Sequence, residues 1–96
     1  MTTTAQQEFL GQIPEKVVPT GTAEALGASP GVVTTALIVR ALLGNPDPVF
    51  IGKEGVTVSD GIPLYPGESM TLNVRDPALV FCIAAGGGNA LRVMGV

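Results

Sequence analysis

From Glu15 onward, short apolar runs alternate with Gly-, Pro- and Asn-rich breaks about every 8–12 residues, the spacing of strands in sandwiches and barrels. Strands are expected near residues 16–18, 22–26, 32–43, 49–51, 69–74, 78–84 and 90–94. The longest run, residues 32–43, is apolar on both alternating faces. It fits a central strand; its length also permits a helix, but its Val, Thr and Ile favour strand. Gly44-Asn45-Pro46-Asp47-Pro48 ends it with a turn. Residues 69–75 alternate more cleanly, with Met70, Leu72 and Val74 on one face and Ser69, Thr71, Asn73 and Arg75 on the other, as in a half-buried strand.

Turn chemistry links these runs. In Tyr65-Pro66-Gly67-Glu68, Pro66 suits position i+1 and Gly67 position i+2 of a type II turn, which requires a positive φ at Gly67. Gly86-Gly87-Gly88-Asn89 reads as a hairpin loop between the last two strands, closing the chain as a meander or a sandwich edge. The expected fold is all-β: a small antiparallel sandwich or barrel over residues 15–96, its core including Val39, Ile51, Leu72, Val74, Ile83 and Val93. Residues 1–14 form an N-terminal arm, since Pro14 stops any helix begun by the preceding residues.

The 96 residues suffice for one core, and a monomer of this size is marginal without further contacts. With 46% hydrophobic residues but only 4% aromatic and no Trp, that core is aliphatic. Charged residues are 14%, against about 25% in an average soluble domain. Two explanations fit: neighbouring chains cover part of the surface, or uncharged polar residues solvate it. The net charge of −3 has no block of either sign, which argues against nucleic-acid binding. A lone cysteine, Cys82, offers no internal disulfide and reads as a core residue. The first residues lack the pattern of a signal peptide, and no stretch is apolar enough to span a membrane, so synthesis and residence in a cytoplasm are expected.

The chain contains no histidine, which removes the commonest general base and most transition-metal sites. Asp47, Glu54, Asp60, Glu68 and Asp76 each adjoin Gly or Pro and read as turn residues rather than as an acid/base pair, and no EF-hand-like spacing supports calcium at Asp47, Asp60 and Asp76. Gly52-Lys53-Glu54-Gly55 lacks the spacing of a phosphate loop, and Gly67-Glu68-Ser69 lacks the second Gly of a nucleophile elbow. No enzyme activity, cofactor or metal is expected. Arg40 interrupts an apolar run and is expected to reach a carboxylate or the rim. Tyr65 is the single candidate platform for a small-ligand or carbohydrate-binding module.

The stretch from Pro48 to Ser69 resembles small structural proteins of tailed bacteriophages. It contains Val49-Phe50-Ile51-Gly52-Lys53-Glu54-Gly55-Val56-Thr57, then Asp60-Gly61-Ile62-Pro63-Leu64, then Pro66-Gly67-Glu68-Ser69 leading into an alternating strand. The likeness extends loosely over residues 17–96. It includes Thr20-Gly21-Thr22, the long strand ending at Arg40, and Phe81-Cys82-Ile83-Ala84 before a glycine loop.

The resemblance implies a compact β-sandwich, with Gly52, Gly55, Gly61, Pro66 and Gly67 as structural turn residues and no catalytic residue. It implies a virion protein that decorates or cements the outer capsid surface. Partners would be the major capsid protein and neighbouring copies of itself, in a homo-oligomer or multicopy assembly without nucleic acid or membrane. A head-fibre base or tail accessory protein is the alternative. Residues 1–13 lie outside the resembling stretch; their isolated Phe9, Leu10 and Ile13 suit burial on a neighbour rather than packing alone, and with Arg40 and Tyr65 they are the expected interaction residues.

Overall fold

The computed structural model describes residues 12–27, 36–74 and 76–95. They form eight strands: β1 (Gln12–Val17), β2 (Glu24–Ala25), β3 (Leu37–Ala41), β4 (Val49–Gly52), β5 (Ile62–Leu64), β6 (Ser69–Leu72), β7 (Phe81–Ala84) and β8 (Ala90–Gly95). All pairings are antiparallel. Sheet A has the order β1-β8-β3-β6 and sheet B the order β2-β7-β4-β5. The two sheets make a sandwich with the strand order of a jelly roll. No helix of the described residues is long and apolar enough to cross a membrane.

The core follows from strand alternation. In sheet A, Leu37, Val39 and Ala41 of β3 and Leu91 and Val93 of β8 point inward and are buried. Val49 and Ile51 of β4, Leu64 of β5, and Cys82 and Ala84 of β7 meet them from sheet B. Met70, Leu72 and Val74 are half-buried against this cluster, as suits edge strand β6 and the chain leaving it.

Ile83 is buried, but its register partner is Phe50, so it lies on the opposite face of sheet B from Ile51. The connection of residues 53–61 folds back toward that face. A methyl group added at Gly52 would meet Val56 Cγ2 at 2.6 Å, and one at Gly61 would meet Phe50 Cβ at 2.7 Å. Both glycines are therefore required by close approach.

Several expected elements shift. β3 covers residues 37–41; Leu42 and Leu43 leave it in a turn, and residues 32–35 lie outside the described residues. β2 keeps only two residues of the expected 22–26. Residues 77–79 form a 3-10 turn capped by the Asp76 carboxylate, which accepts from the Ala78 N–H, so β7 starts at Phe81 rather than Ala78. β5 occupies residues expected to be turn. It tolerates Pro63 because an edge strand leaves one side of its backbone without a ladder partner. β1 begins at Gln12, inside the segment assigned to the arm.

The Gly86–Asn89 connection is not a hairpin loop: β7 belongs to sheet B and β8 to sheet A, so the chain crosses between sheets there. Among the described residues only β4 and β5 are consecutive strands that pair. This crossing is held by Asn89, which is 1% exposed. Its side-chain carbonyl accepts from the Asp47 N–H at 3.0 Å, and its amide donates to the Gly86 carbonyl at 2.8 Å and to the Asp47 carboxylate at 3.2 Å. Buried Asn45 bonds both backbone groups of Ala90 at 2.9 Å. Two loops that each cross between the sheets, β3–β4 and β7–β8, are thus tied at one end of the sandwich, and both asparagine side chains have partners as burial demands.

Candidate functional site

Strand alternation that sends Leu37, Val39 and Ala41 inward sends Ile38 and Arg40 outward. The pairing of β3 with β8 sets Ile38 opposite Met94 and Arg40 opposite Arg92; on its other side β6 brings Thr71 beside Ile38 and Ser69 beside Arg40. The outer face of sheet A is therefore crossed by one row of Ser69, Arg40 and Arg92, and by a second of Thr71, Ile38 and Met94. A shallow groove of about 430 Å³ runs here, lined by Ile38, Arg40, Ser69, Arg92, Val93 and Met94.

The electrostatics are uneven. Arg92 lies 3.6 Å from the Glu15 carboxylate at the β1 edge. Arg40 is exposed, and none of the carboxylates among the described residues stands within salt-bridge distance of it. Of the two expectations for Arg40, a carboxylate or the rim, no carboxylate stands within reach among the described residues, and the side chain is exposed. Its cross-strand neighbour is a second cation. A second ion pair among the described residues, Lys16 to Glu24 at 2.6 Å, joins edge strand β1 of sheet A to edge strand β2 of sheet B and leaves the groove untouched.

Tyr65, 53% exposed, opens the turn at the far side of β6, where the Glu68 carboxylate accepts its N–H at 2.9 Å. The turn is type II: Gly67 has φ +86°, and the Glu68 N–H donates to the Tyr65 carbonyl at 2.9 Å. Leu43, 81% exposed, is its neighbour, since a methyl group at Gly67 would stand 3.1 Å from Leu43 Cδ1. Val17 is exposed at the same end, because its partner Ala90 also accepts the Leu42 N–H. Ile62 and Leu79 are exposed at the opposite end, near the close of β4 and the start of β7. Arg40 lines the groove and Tyr65 does not, although the turn that Tyr65 opens is hydrogen-bonded to Ala41, the residue after Arg40. Ile13 pairs through its backbone with Val93 in β1, and Phe9 and Leu10 lie outside the described residues.

The acidic side chains are dispersed. Asp60 accepts from the Thr57 N–H at 2.8 Å and hydroxyl at 3.1 Å, which holds its carboxyl below the usual range. Asp47 is engaged by Asn89, and Asp76 caps the 3-10 turn. Among the described residues no three acidic, Cys or His side chains gather as a metal site. The small cavity of about 150 Å³ at Gly52, Lys53, Glu54, Gly55, Val56 and Asp60 is the inside of the β4–β5 turn, with Gly55 at φ +86°.

Arg92, Ile38 and Met94 are the surface residues that the linear pattern did not single out. Alternation marks Arg92 as outward between Leu91 and Val93, but only strand register places it beside Arg40. Compared with protein-family models, curated proteins and solved structures, the chain matches none.

Proposed function

We propose that this chain is a structural protein of a tailed-phage virion, binding the outer capsid surface as a decoration or cement protein and bridging capsid subunits. The observation that carries the reading is the Pro48–Ser69 pattern resembling such proteins, which occupies one continuous unit here: β4, its close-packed glycine turn, β5, the Tyr65–Glu68 turn and the start of β6. Its mechanism is binding alone. Exposed apolar side chains at both ends of the sandwich, Leu43 with Val17 at one and Ile62 with Leu79 at the other, suit contacts to more than one neighbour. Many modest contacts repeated over a shell add up through effective concentration.

The test is the composition of particles purified from the host that makes this chain. A decoration protein is present at hundreds of copies on the head by electron microscopy and quantitative mass spectrometry, and purified protein co-sediments with capsids lacking it. A few copies at a vertex or tail point instead to the head-fibre base or tail accessory protein. Absence from particles, with no co-sedimentation, overturns both.

A further inference from the structure

Two of the three arginines of a chain with net charge −3 stand directly opposite one another on the outer face of sheet A. Directly opposed like charges in an antiparallel pair work against folding. Arg92 has Glu15 beside it, whereas Arg40 has no carboxylate within salt-bridge distance among the described residues. Along β3 and β8 the next outward positions are the apolar Ile38 and Met94, half-buried along the groove, while β6 sets the Ser69 hydroxyl beside Arg40 and Thr71 beside Ile38. This pairing of the Arg40 charge, which no carboxylate among the described residues neutralises, with aliphatic walls is complementary to a guest that is anionic at one point and apolar next to it.

We propose that this groove receives a segment of a neighbouring protein chain that presents a carboxylate beside an aliphatic or aromatic side chain. The carboxylate lies between Arg40 and Arg92, where planar guanidinium groups match its two oxygens, and the apolar side chain covers Ile38 and Met94. A nucleic-acid phosphate is the poorer guest: two cations flanked by apolar walls on a net acidic chain oppose a polyanion, whose binding draws on many cations at once. The source of the segment rests on the assembly reading above, in which neighbouring chains surround this one. The chemistry of the groove does not.

The experiment therefore uses the full chain without particles. Nitrogen-15-labelled protein is titrated with a blocked Ala-Glu-Phe-Leu-Ala peptide, with its Gln counterpart, and with a thymidine hexanucleotide. The Glu peptide is expected to shift the amides of Arg40, Arg92 and Met94, binding about fivefold more tightly than the Gln peptide. Arg40→Gln should erase that preference without lowering the melting temperature, and added salt should weaken it. Equal binding of the two peptides, or no shift at either arginine up to the peptide's solubility limit, overturns the proposal. Preferential binding of the oligonucleotide at these residues overturns it in favour of a phosphate site. If the peptide result holds but the protein does not co-sediment with capsids, the capsid reading falls and the groove stands.

Discussion

Cys82 shows how one residue carries the physics of its surroundings. It lies on the inward face of β7, fully buried between register partners Ile51 of β4 and Glu24 of β2. Removal from water pushes its thiol up from 9.0 to about 11, an effect that Lys16 offsets in part and Glu24 reinforces. Between these values the unfolded chain releases a proton that the folded chain retains. The stability tied to the neutral thiol is thus full below pH 9 and drains away as pH rises through about 11. The loss is on the order of 2–3 kcal/mol. Cys82→Ala lacks it, so the gap in stability between wild type and variant in urea should stay constant up to pH 9 and narrow toward pH 11. A gap unchanged across that range would show that the thiol titrates alike in both states. Gly67 is a residue whose conformation is legible from its neighbours alone, because Pro66 before it and Glu68 after it set a turn that needs a positive φ. Gly52 and Gly61 are different: Val56 and Phe50 come to them only in the folded protein.

At the scale of elements, position within a sheet decides what a side chain contributes. Leu37 of β3 and Leu72 of β6 are cross-strand partners on the same face. Leu37 is 0% exposed on an inner strand, whereas Leu72 is half-buried on the edge. Leu37→Ala should cost about 2–5 kcal/mol, as a full cavity does, and Leu72→Ala about 1–2 kcal/mol, since water relieves part of the void. Chemical denaturation of the two variants checks this; equal costs would mean that β6 is covered as deeply as β3. The alternation of Met70, Leu72 and Val74 marked their shared face in the sequence, but alternation cannot tell an edge from a centre. The same limit hid β5: Ile62-Pro63-Leu64 has a proline at its middle, and it becomes a strand only because Val49, Phe50 and Ile51 stand opposite to pair with it.

For the whole molecule, the order β1-β8-β3-β6 over β2-β7-β4-β5 means that most ladders join distant parts of the chain. β1 pairs with β8 across nearly the full domain, and β4–β5 is the one local hairpin among the described residues. Closing long loops before their contacts reward the cost makes such topologies slow, in the range of about milliseconds to seconds. Stopped-flow refolding should fall there; completion within microseconds would mean that local structure dominates the transition state. The same topology gathers the exposed groups. Val17, Leu43 and Tyr65 are far apart in sequence, yet the strand ends at Ala90, Ala41 and Glu68 bring them to one end.

By itself the sequence determined the all-β class, the aliphatic core and the type II turn, because alternation, composition and Pro-Gly chemistry act over a few residues. Val39, Ile51 and Val93 were legible as core for that reason. Pairing was beyond it. Gly86-Gly87-Gly88-Asn89 has the composition of a hairpin loop, and what makes it a crossing between sheets is the hold of buried Asn89 on Asp47 and of Asn45 on Ala90, from a loop some forty residues away. The candidate site divides in the same way: Arg40 stood out in an apolar run, but its opposition to Arg92, and with it the groove, exists only where β3 and β8 run antiparallel in this register. Register is a property of two strands at once, set by which side chains fill the space between the sheets, so no local segment encodes it.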